Sequence, residues 1–194
     1  MSDLPQIYLA SSSPRRQELL QQMGVRYKVV AQQAVEYYQA GETAEQFVIR
    51  LALEKARDAF EHLNNTDIPV LGSDTAVVYN NNILGKPKNK QHAIDMLMDL
   101  SDQTHQVITA VALLNQHQFR YAVSISEVSF SKLNRQLCDD YWATGEPVDK
   151  AGAYGIQGRG ALFIRYIKGS YSGVMGLPVY ETAQLLKQFQ IKIL

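Results

Sequence analysis

The chain has 194 residues, with nineteen basic and nineteen acidic side chains and a formal charge of zero. That length is enough for one domain with a real core, and the balanced charge argues against a broad basic surface for nucleic acid, leaving room only for a local patch. Cys138 is the single cysteine, so an intrachain disulfide and a cysteine-based zinc site are both excluded.

The predicted elements run as follows. "QIYLA" at 6–10 reads as a short buried strand. A helix is predicted from Pro14 to about Met23, with Ser13 placed to cap it, Pro14 at the first helical position and Gly24 at its end. "VRYKVVA" alternates as a second strand, and 32–41 reads as a loop. Residues 43 to about 63 form the clearest helix: Thr43 and Gln46 make a capping-box pattern, and Val48, Leu51, Ala52, Ala56 and Ala59 make an apolar stripe. "PVLGSDTAVVY" is a strand candidate interrupted by Gly72-Ser73-Asp74-Thr75. "NNNILGKP" reads as a hairpin tip, a short return strand and a loop carrying Lys86. A helix is predicted over 90–100, two long strands meet at a turn near Gln116, and a helix follows over 134–143. "GEPVDKAGAYGIQGRGA" is a loop with glycines at 145, 152, 155, 158 and 160. "LFIRYI" is a late strand and "LPVYETAQLLKQF" a closing helix. Helices mixed with several long strands define the class as α/β. No run reaches the roughly twenty apolar residues of a membrane span, and "MSDLPQIYLA" does not read as a secretory leader. A single cytoplasmic domain over 1–194 is expected, with no membrane and no nucleic acid as partner.

Four features carry chemical interest. Arg15 and Arg16 place two cations in a first helical turn, where the macrodipole is already positive. Lys55 falls on an otherwise apolar stripe, which fits a lysine snorkelling from its edge or a cation aimed at a ligand. Asp74 lies between two apolar half-strands, which fits an exposed turn at a strand end or a buried carboxylate that needs a partner. The glycine-rich loop carries Asp149, Lys150 and Gln157. Neither glycine-rich segment matches a nucleotide-binding fingerprint. Lysines and arginines around a lone carboxylate suit a polyphosphate with a divalent cation. The four histidines are far apart and lack metal-ligand spacing, which points to surface or core roles, and no G-x-S-x-G turn supports a serine hydrolase.

"LASSSPRRQELL", "RLALEKAR", "GSDTAVV", "LGKP", "THQVITAV", "GEPVDKAGAYGIQGRGA" and "GSYSGVMGLP" occur in one order along the chain. In these blocks the sequence resembles the Maf family of nucleoside triphosphate pyrophosphatases nearly end to end. The "DKAGAYGIQG" block resembles the subgroup acting on dTTP and UTP. The resemblance implies a Maf/ITPase-like fold, with a central mixed sheet flanked by helices and an active-site cleft between two lobes. It implies hydrolysis between the α- and β-phosphates, a divalent cation (Mg or Mn), a homodimer and a role in nucleotide-pool sanitation. A preference for 7-methyl-GTP or modified nucleotides is the alternative within the family. A non-catalytic nucleotide-binding regulator of septum formation is the alternative outside enzymes.

By the same resemblance Asp74 matches the proton acceptor, and Glu36, Lys55 and Lys86 match polar residues of the active site. Asp74 and Glu36 are the expected metal ligands. Arg15, Thr75 and Gln157 match positions linked to base or substrate selectivity. Ser11, Ser13 and Arg16 fall in the phosphate-facing turn, and Lys150 and Asp149 in the glycine-rich loop. Gln157 offers a physical account of base choice, since one amide can accept from pyrimidine N3–H and donate to O4. Three positions depart from the family's pattern. The segment before Glu36 reads "QQAVE" without further acids, Asp102 stands where the family has glycine, and Ser126 stands where it has threonine. If the Asp102 position requires positive φ, aspartate tolerates it better than most residues.

Overall fold

The computed structural model describes residues 4–63 and 66–193. The reading of the extreme N-terminus as no leader falls partly on residues 1–3, outside the described residues.

The element order is β1 (Ile7–Leu9), α1 (Pro14–Gln22), β2 (Tyr27–Val29), α2 (Ala44–Glu61), β3 (Val70–Tyr79), β4 (Asn82–Leu84), α3 (Lys90–Leu100), β5 (Thr104–Leu114), β6 (Phe119–Phe130), α4 (Arg135–Ala143), β7 (Ile164–Lys168), α5 (Tyr171–Met175) and α6 (Val179–Gln188). The strands form one mixed sheet in the order β2-β1-β3-β5-β6-β7, with β4 paired to β3. β1 runs parallel to both β2 and β3, while β3–β4 and β6–β7 are antiparallel. The α/β class and the mixed sheet are therefore as expected.

Two compact units emerge from the chain. The first combines the residues up to Asp74, Thr109–Ser124 and those from Gly176 onward; the second combines Thr75–Ile108 and Ile125–Met175. In the first unit Ala10, Ala56, Ala59, Val70 and Leu114 form a buried cluster, with Tyr8, Val30 and Phe60 packed on it. In the second a larger core joins α3 and α4, and its aromatic members meet edge to face: Phe130 with Tyr154 at 4.8 Å between centroids, and Tyr141 with Phe163 at 4.8 Å. Such pairs add specificity to simple area burial. His105, buried in this core, donates or accepts at 2.8 Å with the Tyr154 hydroxyl. Of the surface and core roles its isolation in the sequence left open, it takes the core one.

Local expectations hold where the signal is strong. Thr43 caps α2 by accepting from Gln46 N–H, and Gln46 reciprocates, completing the capping box. Asp102 adopts φ +59°, so the position does require the left-handed region, as expected for aspartate in a glycine's place. Three expectations need correction. Ser13 occupies the N-cap position of α1, but its side chain makes no capping hydrogen bond; the nearby bond runs instead from Ser13 N–H to Ser11 Oγ at 3.2 Å. The glycine-rich stretch is not plain loop. It is wound into short 3₁₀ turns at Glu146–Asp149, Ala151–Ala153 and Arg159–Phe163, punctuated by Gly145 at φ +76° and Gly152 at φ +67°. The sequence pattern also gave no sign of α5, because five residues are too few to show a helical period.

Candidate active site

The site in the first unit is built on one close approach between a strand and a helix. Side chains alternate across a strand, so Gly72 and Asp74 share a face of β3. On α2, Ala52, Lys55 and Ala56 share a face at i, i+3 and i+4. A Cβ added at Gly72 would lie 2.2 Å from the Ala52 carbonyl oxygen and 2.9 Å from Ala56 N. Only glycine permits this spacing, and it brings Lys55 within reach of Asp74.

Lys55 Nζ donates to Asp74 Oδ1 at 2.6 Å and to Glu36 Oε1 at 2.6 Å. Lys55 is 3% and Asp74 6% exposed. The snorkelling alternative for Lys55 and the exposed-turn alternative for Asp74 are thereby overturned: β3 runs unbroken through Asp74, and the lysine points inward to the two acids. Charged groups this deep persist only when paired and hydrogen-bonded.

Glu36 reaches the cluster from the segment before α2, and Arg50 fixes that segment. Its Nη2 donates to the Tyr37 carbonyl at 2.8 Å, while Glu42 accepts from Nε and Nη2 at 2.9 and 2.6 Å. The guanidinium also lies 5.3 Å from the centre of the Tyr37 ring. The fork geometry of arginine suits this clamp. No local pattern in the sequence marks Arg50 for this role.

Arg16 is tied down at two atoms: Nε donates to the Gly176 carbonyl at 2.8 Å and Nη1 to Ser11 Oγ at 3.1 Å. Ser73, on the opposite face of β3 from Asp74, lies 2.9 Å from both the Gly176 and Ala110 carbonyls. Its single proton serves one of them at a time. The Gly176 carbonyl thus acts as a brace for Arg16. Burial pulls the Arg16 pKa down, and Asp74 and then Glu36 oppose that fall. A local answer follows to the question of two cations at a helix N-terminus: Arg16 is turned into the field of the carboxylates. Arg15 is half-buried on the same turn. For Asp74, burial raises the pKa above the usual carboxylate value, while Lys55 and Arg16 pull it back.

Asp74 and Glu36 carry hard carboxylate oxygens, one from each meeting Lys55 Nζ. Among the described residues no group of three or more histidines, cysteines or acids could hold a metal ion. Asp74 and Glu36 supply two carboxylates, the number a magnesium ion commonly takes when phosphate oxygens and water complete its shell.

The remaining predicted residues belong to the second unit. Thr75 follows Asp74 on β3 and is half-buried, and Lys86 is exposed after β4. Gly152 N–H donates to the Gly85 carbonyl at 3.1 Å, so the Lys86 loop and the glycine-rich segment are joined. Lys150 Nζ pairs with Asp149 Oδ1, and Gln157 is exposed. A residue the sequence gave no reason to single out organises this segment. Glu146 accepts from the Tyr141 hydroxyl at 2.7 Å, Arg159 N–H at 2.8 Å and Gly160 N–H at 3.1 Å.

The fold and the site together define an α/β protein with a buried acid–lysine cluster suited to polyphosphate chemistry. The structure is similar in fold to the Ham1 protein of Staphylococcus aureus, with a TM-score of 0.53 at 16% identity, covering 95% of this chain and 97% of that one. The family model described as Maf-like protein matches residues 6–189, and the chain belongs to the Maf family. It is 49% identical over 191 residues to a dTTP/UTP pyrophosphatase of Alkalilimnicola ehrlichii, covering 96% of this chain and 94% of that protein. It is 52% identical to a dTTP/UTP pyrophosphatase of Salmonella typhimurium, covering 94% and 92%. Against a protein of the same name from Escherichia coli K12 the identity is 49% over the same shares. Among the described residues no helix is long and apolar enough to cross a membrane.

Proposed function

We propose that this protein hydrolyses dTTP and UTP to the nucleoside monophosphate and diphosphate, removing unwanted nucleotides from the pool. The observation that carries the chemistry is the buried Lys55 shared by Asp74 and Glu36 at 2.6 Å each. The substrate reading rests on the relatives of about half identity named above.

In this mechanism water attacks the α-phosphorus, the α–β bridging bond breaks, and diphosphate leaves with the bridging oxygen. Asp74 takes the proton of the attacking water; its raised pKa makes it a better base than a solvated aspartate. Lys55 holds both acids in place and balances their charge. Asp74 and Glu36 would hold a divalent cation, magnesium or manganese, which neutralises charge on the phosphates when bound. Arg16, Ser11 and Ser13 meet the triphosphate at the turn before α1, with Lys86 and Lys150 as further cations. Arg15, Thr75 and Gln157 set base choice, Gln157 through the paired donor and acceptor edge of uracil and thymine. The protein works in the cytoplasm as a homodimer in this reading.

The test is diphosphate release over a panel of nucleoside triphosphates with and without Mn²⁺. Turnover should be greatest for dTTP and UTP and should require the cation. Asp74→Asn and Lys55→Ala, each checked for folding, should lower the rate by about 10²–10³-fold. Near-normal turnover in both would refute the mechanism. A preference for CTP or 7-methyl-GTP would refute the substrate assignment, and no release from any nucleotide would favour a binding protein.

A further inference from the structure

The glycine-rich segment of the second unit must present Gln157 in one orientation if its amide is to distinguish uracil from cytosine, because a flipped amide reads the opposite pattern. Gln157 itself is exposed, with glycines at 155 and 158 near it on either side, so its direction depends on how the backbone around it is held. The backbone on its C-terminal side is held by one carboxylate. Glu146 Oε2 accepts from Arg159 N–H at 2.8 Å, and Glu146 Oε1 accepts from Gly160 N–H at 3.1 Å and from the Tyr141 hydroxyl at 2.7 Å. The same hydroxyl accepts from Gly155 N–H at 3.1 Å. Gln157 therefore sits between two anchored points, residue 155 and residues 159–160, that lead back to one acid.

The glycines report how tightly the acid fits. A Cβ at Gly158 would lie 2.4 Å from the Glu146 carboxyl atoms, one at Gly155 would lie 3.2 Å from Oε1, and one at Gly160 would lie 2.7 Å from the Tyr141 hydroxyl. The segment is thus moulded around the carboxylate and the phenol together. Three donors converge on two oxygens, which a carboxylate satisfies and a neutral amide cannot, since its nitrogen would face an N–H.

We propose that Glu146 is a positioning residue for base selection: acting with Tyr141, it clamps residues 155–160 so that Gln157 presents its amide in the single orientation that accepts from N3–H and donates to O4. This inference rests on the proposed reading of Gln157 as the base-contacting residue, and the experiment separates the two.

The experiment is a double-mutant cycle with diphosphate release as the readout, comparing kcat/KM for UTP with that for CTP. Glu146→Gln should reduce the UTP-over-CTP preference by about tenfold, mostly through KM. In a Gln157→Ala background the same substitution should leave the preference unchanged. Tyr141→Phe, which removes the hydroxyl's bonds to Glu146 and from Gly155 N–H but keeps the Glu146 contacts to Arg159 and Gly160 N–H, should move the preference the same way. It carries the same cycle if Glu146→Gln does not fold. Trypsin cleavage after Arg159 should accelerate in Glu146→Gln as the segment loosens. If Glu146→Gln or Tyr141→Phe lowers turnover of UTP and CTP equally, Glu146 is merely structural and the proposal is overturned, while Gln157 keeps its role. If Gln157→Ala leaves the preference intact, the reading of Gln157 fails and the proposal fails with it. If Glu146→Gln shifts the preference equally in both backgrounds, Glu146 acts by another route and the proposal is likewise overturned.

Discussion

Asp74 lies under opposing influences, and their balance sets what it can do at neutral pH. Burial raises its pKa, Lys55 and Arg16 lower it, and Glu36 raises it again. An acid of this kind loses its proton later than a free aspartate, and as the base it sets the acidic limb of kcat/KM. Arg16→Met removes one of the cations that holds the proton off. The Asp74 pKa must then rise further, and the acidic limb must move to higher pH, whatever the loss in overall rate. A pH profile whose acidic midpoint stays fixed in Arg16→Met would show that the titrating base does not feel Arg16. How legible such residues are depends on contrast. Lys55 and Asp74 stand out in the sequence because their neighbours are apolar, although their neighbours alone cannot say whether they turn inward. Glu36 has no such background and rests on the family resemblance. Glu146 was invisible, because two of its three partners are backbone N–H groups 13 and 14 residues away and no side-chain pattern records them.

At the scale of elements, the helix signals were readable and the contacts between elements were not. The capping box of α2 and the bounds of α3 follow from local chemistry that a few residues encode. What places α2 against β3 is the absence of a side chain at Gly72, which in the sequence looks like part of a break in a strand. The same residue type has another use at the turn of the Maf pattern near β5, where this chain has Asp102 at φ +59°, its side chain 3.4 Å from exposed Arg165; that exposed pair contributes little. Gly72 is the more demanding of the two, because backbone atoms cannot move aside as a flexible side chain can. Gly72→Ala should force α2 away from β3, lengthen the Lys55–Asp74 contact and cost about 2 kcal/mol or more of stability. Denaturant melts with a rate assay check both parts. The rate should fall even at temperatures where the variant remains folded. A variant with normal stability and normal turnover would mean that the helix can shift without disturbing the acids.

On the scale of the whole molecule, the division into two units is written nowhere in the order of residues, since the first unit collects three separate segments. Composition and hydropathy read as one continuous domain because no linker, repeat or change of character marks the boundaries. Those boundaries fall inside strands. β3 passes from one unit to the other between Asp74 and Thr75, β5 between Ile108 and Thr109, and β6 between Ser124 and Ile125. Each strand therefore contributes hydrogen-bonding backbone to both units. Melting either unit would strip order from strands on which the other depends, so their unfolding should be coupled. Trp142, the one tryptophan, lies on α4 in the second unit and reports that unit alone, whereas far-ultraviolet circular dichroism reports the helices and strands of both. The two signals should fall together in a single transition, with calorimetric and van't Hoff enthalpies equal. Loss of the Trp142 signal at a lower or higher temperature than the dichroism would mean that the shared strands can be ordered at one end while frayed at the other, and the units would then be independent in stability although continuous in chain.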